Sequence, residues 1–221
     1  MNKDNFFKQN NLVEDSEKIE TSPSGKYKLT ISKYTTKKGC WNYSRGIIKN
    51  KNGDIIADVK RNYHHFPFHW VENHPNGHDY LICGEDYQGQ TIIELDTDKR
   101  KDYLPEAAKK GFGFCWVSYE ASPNKKVLAV NGCVWAGPYE VVFVDFSDPM
   151  EDLSYCEEQP EGYYPEFYGW SEDGTANIGY EEIRRKSDGK WEKELTDEEQ
   201  DEMYNNEDYE EVPIKTIWKI S

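Results

Sequence analysis

The chain has 221 residues, 14% of them aromatic and 31% charged, with a formal net charge of −15. That length suffices to bury a core, as one domain or one set of repeats. No run of eighteen apolar residues occurs, which excludes an ordinary membrane-spanning helix, and so large an acidic surplus opposes binding to the phosphates of nucleic acid.

The first residues, Met1-Asn2-Lys3-Asp4-Asn5, lead into Phe6-Phe7-Lys8 without the apolar stretch of a secretory signal. Five cysteines, Cys40, Cys83, Cys115, Cys133 and Cys156, lie singly. An odd, scattered set reads as reduced thiols packed like small hydrophobes. Together these features predict a cytoplasmic protein. Residues 1–20 read as loosely ordered, and residues 21–221 as a single β-repeat domain.

The repeat is marked by four turns at a near-constant interval: Ser22-Pro23-Ser24-Gly25, His74-Pro75-Asn76-Gly77, Ser122-Pro123-Asn124-Lys125 and Ser171-Glu172-Asp173-Gly174. About 50 residues is the length of one four-stranded antiparallel sheet, so units are expected near 21–66, 67–113, 114–165 and 166–221. In the first, Tyr27-Lys28-Leu29-Thr30-Ile31-Ser32 alternates with period two, and Lys51-Asn52-Gly53-Asp54 offers a hairpin turn between Ile47-Ile48 and Ile55-Ile56. In the second, Phe68-His69-Trp70-Val71 precedes the turn, Tyr80-Leu81-Ile82-Cys83-Gly84 follows it, and Thr91-Ile92-Ile93-Glu94-Leu95-Asp96 comes last. A one- or two-turn helix is expected over Pro105–Lys110, stopping at Gly111. The third unit repeats the second with Phe114-Cys115-Trp116-Val117, Val127-Leu128-Ala129-Val130-Asn131-Gly132 and Val141-Val142-Phe143-Val144-Asp145-Phe146. Short apolar runs between turn residues are the pattern of strands buried on both faces. In the fourth, Phe167-Tyr168-Gly169-Trp170 leads to Ala176-Asn177-Ile178-Gly179-Tyr180, and Ile214–Ile220 closes the unit. Between them lies an acidic insertion, where Thr196-Asp197-Glu198-Glu199 carries a capping box for a short helix over about 197–204.

The stretches Trp70 to Asp96 and Trp116 to Asp145 resemble the blade of a β-propeller of the WD40-like kind. Each has an aromatic strand, a Pro-Asn turn, an apolar strand ending in Gly and a third strand ending in Asp. The likeness departs at the end of the third strand, where Leu95-Asp96 and Val144-Asp145 replace the family's Trp-Asp, and the Gly-His that opens a blade is absent. The resemblance implies an all-β fold of four propeller-like sheets, as a closed small ring or an open curved array. Trp70, Trp116 and Trp170 are then core between units.

Candidate sites are few. All five histidines, His64, His65, His69, His74 and His78, lie within fifteen residues. Imidazole ligates metals, but alternation separates these rings and no carboxylate stands at a ligand spacing, so neither metal nor cofactor is expected. Gly111-Phe112-Gly113-Phe114 lacks the third glycine and the helix of a phosphate loop. Tyr87, Trp135 and Tyr139 stand beside Gly89, Gly137 and Pro138 in strand connections, where aromatics become binding anchors. Glu85 and Asp86 adjoin the first of them.

The charge is uneven. Residues 151–221 carry 22 acids against 7 bases, a balance of −15, which leaves 20 of each in residues 1–150. An acidic flank steers basic partners. The sequence therefore favours a non-catalytic protein-interaction module, monomer or homodimer, binding a basic protein, as an inhibitor or immunity-type protein would. Its contacts are expected from Tyr87, Trp135, Tyr139, Glu85, Asp86, Glu198, Glu199 and Asp201. The alternative is a small hydrolase-like enzyme with a polar pocket at the strand ends, using Glu85, Asp86 and His65 or His69.

Overall fold

A computed structural model describes residues 3–135, 137–156, 163–203 and 206–218. Four antiparallel sheets follow one another along the chain, each a simple meander. The first holds β1 (Lys18–Thr21), β2 (Tyr27–Thr35), β3 (Asn42–Asn50) and β4 (Ile55–Arg61). The second holds β5 (His69–Val71), β6 (Tyr80–Cys83), β7 (Gln90–Glu94) and β8 (Lys99–Tyr103), after which comes the short helix α1 (Glu106–Lys109). The third holds β9 (Phe114–Ala121), β10 (Val127–Val134), β11 (Glu140–Asp145) and the two-residue β12 (Ser154–Tyr155). The fourth has three strands, β13 (Tyr163–Trp170), β14 (Ala176–Arg185) and β15 (Tyr209–Trp218), with helix α2 (Asp197–Asp201) in the β14–β15 connection. The expected end of β15 at Lys219 and Ile220 lies outside the described residues.

The four periodic turns are the same turn. In each, the fourth residue's amide donates to the carbonyl of the first: Gly25 to Ser22, Gly77 to His74, Lys125 to Ser122 and Gly174 to Ser171, at 2.8–3.0 Å. The fourth residue adopts positive φ in every copy. Glycine meets that demand freely, whereas Lys125 holds φ +62° at a cost of about 1–2 kcal/mol. Its ammonium supplies a compensating tie, donating to the carbonyls of Glu72 and Asn73 on the second sheet, the latter at 2.9 Å.

Contacts of this kind set the turns of successive sheets side by side at one end. Ser24 donates through both its amide and its hydroxyl to the Glu72 carboxylate, the amide at 2.7 Å. His74 Nε2 donates to the Phe146 carbonyl at 3.0 Å. Trp170 Nε1 donates to Glu120 O, next to the third turn, at 3.3 Å. The β2–β3, β6–β7, β10–β11 and β14–β15 connections consequently share the opposite end.

Period-two alternation decides the packing. In β6, Leu81 and Cys83 face the first sheet, where they meet Tyr27, Leu29, Ile48 and Val59. Tyr80 and Ile82, the alternate residues, face the third sheet with Trp116, Leu128, Val130 and Phe146. In β10, Leu128 and Val130 face the second sheet, and Ala129 turns to the fourth, meeting Phe143, Ala176 and Ile178. Strands covered on both sides carry no polar stripe, which explains why the sequence runs there are continuously apolar. Trp70 packs with the first of these three clusters, Trp116 lies in the second, and Trp170 packs with the third. All three indoles therefore sit between sheets. The first and fourth sheets bury one face each, and β15 alternates from Val212 onward between half-buried and exposed residues, with Ile217 63% exposed. Among the described residues no apolar cluster joins these two outer sheets.

Within the span 1–20, expected to be loosely ordered, the described residues carry local structure. Residues Lys3–Phe7 and Gln9–Asn11 form 3-10 turns, and Lys18–Thr21 pairs with β2 as β1. Phe7 is buried against Tyr34 and Tyr43 with ring centroids 5.2 and 6.1 Å away. Two adjacent phenylalanines supply the apolar area that holds this segment down.

Candidate functional site

At the end of the sheets opposite the periodic turns, the connections of the first three sheets converge. Arg61, the last residue of β4, is buried there, and its guanidinium donates to the carbonyls of His65, Gly84 and Asp86, all at 2.8 Å. Burial holds its pKa below the ordinary arginine value. Those three bonds fasten the β4–β5 and β6–β7 connections to each other. Gly84 is required for the approach: a Cβ there would stand 2.5 Å from the Gly89 carbonyl and 2.9 Å from Arg61 Nη1.

Asn62 adds a second knot. Its amide donates to Glu85 O at 2.9 Å, its side chain donates to Asp86 Oδ2 at 2.7 Å, and its Oδ1 accepts from the Tyr87 amide at 2.9 Å. Its carbonyl accepts from Trp41 Nε1 at 2.8 Å, which brings in the β2–β3 connection.

Around these knots the aromatic side chains collect. Trp135, from the β10–β11 connection, lies with its ring centroid 5.5 Å from Tyr87, 6.3 Å from Trp41 and 6.5 Å from Tyr63. Tyr63 lies 5.2 Å from Trp41 and 6.0 Å from Tyr87. Beside them is a half-open cleft of about 280 Å³, with Tyr63, Tyr87, Trp135 and Tyr139 on its rim and Cys115, Trp116 and Cys133 among its lining. Trp135 and Tyr139 are 51% and 58% exposed. Rings held this open to solvent, on loops fastened by buried hydrogen bonds, are what a pre-formed recognition surface requires.

Three of the residues expected from sequence, Tyr87, Trp135 and Tyr139, thus meet at one cleft. Glu85 and Asp86 lie beside it with structural duties. Asp86 accepts from Asn62 and from the Gln88 amide, and Glu85 pairs with Arg100 at 2.8 Å. Glu198, Glu199 and Asp201 lie apart from these rings, on α2 in the fourth sheet. Glu199 closes the capping box with Thr196 and pairs with Arg185 at 2.8 Å, while Glu198 and Asp201 face solvent. Trp41 and Tyr63 were missed. Trp41 occupies in the first unit the connection that Tyr87 and Trp135 occupy in the second and third, so aligning that connection would have exposed it.

The residues of the enzyme alternative do not assemble. His65 lines the cleft and donates to Val117 O at 3.3 Å, but His69 and Glu85 are not among its lining residues. His69 is accounted for elsewhere, accepting from the Ala121 amide at 3.3 Å. Burial pushes the Cys83 thiol up to about 12 and the Cys115 thiol up to about 11, so both stay protonated and poorly nucleophilic at neutral pH. Among the described residues no group of three His, Cys, Asp or Glu side chains could hold a metal ion, and no helix is long and apolar enough to cross a membrane.

A second cleft, of about 320 Å³, lies on the fourth sheet between Tyr163, Glu181, Glu182, Trp191, Glu192 and Lys193. The Tyr163 hydroxyl donates to Glu192 at 2.6 Å, and the Arg184 guanidinium lies 5.6 Å from the centre of the Trp191 ring. It belongs to the acidic β14–β15 region at the same end of the sheets as the aromatic cleft.

The histidines provide a direct check of these environments. His78 donates to Asp96 Oδ2 at 2.8 Å, and that bond raises its pKa above the usual value of about 6.5. Burial lowers those of His64 and His69. In a proton NMR titration, His78 is expected to titrate at higher pH than His64 and His69. The contribution of the His78–Asp96 pair is full below the unfolded value and is lost as pH rises through the folded one. For His64 and His69 the sign reverses, and stability falls as pH drops below about 6.5. A His78 resonance titrating below 6.5 would show that the bond to Asp96 is not made.

No known protein-family profile matches the chain. Over 153 residues it is 40% identical to an uncharacterized protein of Acanthamoeba polyphaga mimivirus. The match takes in 69% of this chain and 59% of the viral protein's length.

Proposed function

We propose that the chain is a non-catalytic protein-interaction module, a propeller-like array of four sheets resembling WD40-type blades, whose aromatic cleft seats part of a basic protein partner. The observation that carries this reading is the gathering of Trp41, Tyr63, Tyr87, Trp135 and Tyr139 from the connections of three sheets, with Trp41, Trp135 and Tyr139 exposed and Tyr63 and Tyr87 half-buried. Tyr and Trp supply large, rigid contact area with few rotamers to freeze, which is why they dominate binding hot spots.

The basic character of the partner rests on the acidic region. With 22 acids against 7 bases in residues 151–221, and with the β14–β15 connection at the cleft end, a positively charged protein is steered toward that end from solution. An inhibitor or immunity-type role, in which an acidic protein covers a basic one, suits this layout.

The test is capture of a basic protein from its native extract at two salt concentrations. Capture at low salt, loss at high salt and loss through Trp135→Ala are the expected results, with the unfolding midpoint of Trp135→Ala unchanged. Capture unaffected by Trp135→Ala would remove the cleft from the interaction.

A further inference from the structure

The cleft's polar chemistry is as informative as its rings. Among the described residues, the hydroxyls of Tyr63, Tyr87 and Tyr139 and the indole N–H of Trp135 meet no hydrogen-bond partner, although all four residues line one cleft. Among the described residues its lining holds no carboxylate and no side-chain amide. Its one permanent charge, the Arg61 guanidinium, is buried and engaged by three backbone carbonyls. The pKa of His64 is lowered, chiefly by desolvation and then by its cationic neighbours.

This set discriminates among ligands. A lysine or arginine side chain gains attraction from the ring faces, but no carboxylate lines the cleft to pair with it and Arg61 repels it. A sugar's hydroxyls can exchange single hydrogen bonds with the phenols, but the lining holds no carboxylate or amide to grip them in pairs. An anionic ligand gains little from an arginine whose donors are already committed. What the cleft does complement is an uncharged, apolar chain with unsatisfied carbonyl oxygens and few N–H groups.

On these grounds, and resting on the reading of the cleft as a docking site, we infer that the segment it seats is proline-rich and in the polyproline II conformation. Such a chain has no internal hydrogen bonds, so its carbonyls point outward and accept, while its pyrrolidine rings lie against aromatic faces. The Trp135 indole and the three phenols supply the donors, and Trp41, beside Trp135, extends the apolar surface. The helix is already extended before binding, so little conformational entropy is lost. The basic surface assigned to the partner then lies outside this segment, opposite the acidic β14–β15 region.

The experiment uses the full chain, labelled with nitrogen-15, titrated with decaproline while the indole N–H resonances of its tryptophans are followed. Decalysine and cellohexaose are titrated in parallel. The expected result is a saturable shift of the Trp135 indole with decaproline alone, weakened at least about tenfold in Trp135→Ala and about two- to fivefold in Tyr87→Phe. Tyr87→Phe removes only a hydroxyl and preserves the ring packing, so its loss of affinity reports donation rather than folding. Absence of any decaproline shift, or a shift of equal strength in Trp135→Ala, overturns the inference. A Trp135-dependent response to decalysine or cellohexaose in place of decaproline overturns the ligand class and leaves the cleft as a docking site. Failure of the docking reading itself would appear separately, as partner capture indifferent to Trp135→Ala.

Discussion

Replacing Trp116 by alanine is expected to lower the free energy of unfolding by about 3–5 kcal/mol. The indole is 6% exposed and belongs to the cluster that joins the second and third sheets, with Tyr80, Ile82, Leu128 and Phe146 around it. Its cross-strand neighbour is Gly132, where a Cβ would come within 2.2 Å of the Cys115 carbonyl. No side chain on that strand position is available to fill the space an alanine would leave. The expected loss is a large part of a typical domain's stability of about 5–15 kcal/mol. Urea denaturation measures it, with Trp135→Ala as control. That ring is half exposed at the rim, so its removal should change stability by no more than about 0.5 kcal/mol. Equal losses in the two variants would mean that the second and third sheets are not held together through Trp116.

The different fates of these two tryptophans show what the sequence could reveal. Strands covered on both sides leave a local mark, since Tyr80–Cys83 and Val127–Val130 must be apolar at every position. Turns leave one too, because positive φ at Gly25, Gly77 and Gly174 restricts residue choice. The architecture was therefore legible through four sheets and their spacing, and the capping box at Thr196 and Glu199 located α2. The N-terminal packing was not legible, because Phe6 and Phe7 look alike until one knows that only Phe7 finds a slot beside Tyr34. The site was legible in part. Rings beside Gly and Pro pointed to Tyr87, Trp135 and Tyr139, yet nothing local says that Trp41 and Tyr63 join them. That meeting depends on Arg61 and Asn62 binding carbonyls more than twenty residues away. Likewise Glu85 and Asp86 read as available carboxylates, because Arg100 and Asn62, their partners, are remote in sequence.

Asp79 governs the second large effect, at the opposite end of the molecule. It is 6% exposed and accepts from Lys26 Nζ at 2.9 Å, Tyr27 Oη at 3.1 Å and the Asn73 amide at 2.8 Å. Lys26 and Tyr27 belong to the first sheet, and Asn73 to the turn of the second, so one carboxylate ties two sheets together. Burial alone would raise its pKa, but the Asn73 amide, Lys26 and Tyr27 together outweigh burial and hold it below the ordinary aspartate value. Asp79→Ala leaves the Tyr27 hydroxyl and the Asn73 amide without their acceptor, at an expected cost of about 2–3 kcal/mol. The pH dependence follows from the direction of the shift. A carboxylate with a depressed folded pKa contributes fully above its unfolded value of about 3.9 and loses that contribution as pH falls through the folded value. The wild-type chain should therefore lose stability more steeply below about pH 4 than Asp79→Asn, which cannot titrate. Unfolding midpoints measured between pH 3 and 7 should converge for the two proteins at the acid end. Parallel curves over that range would show that Asp79 is not ionised against Lys26 in the folded state, and the tie between the first two sheets would then have to come from Ser24 and Glu72 instead.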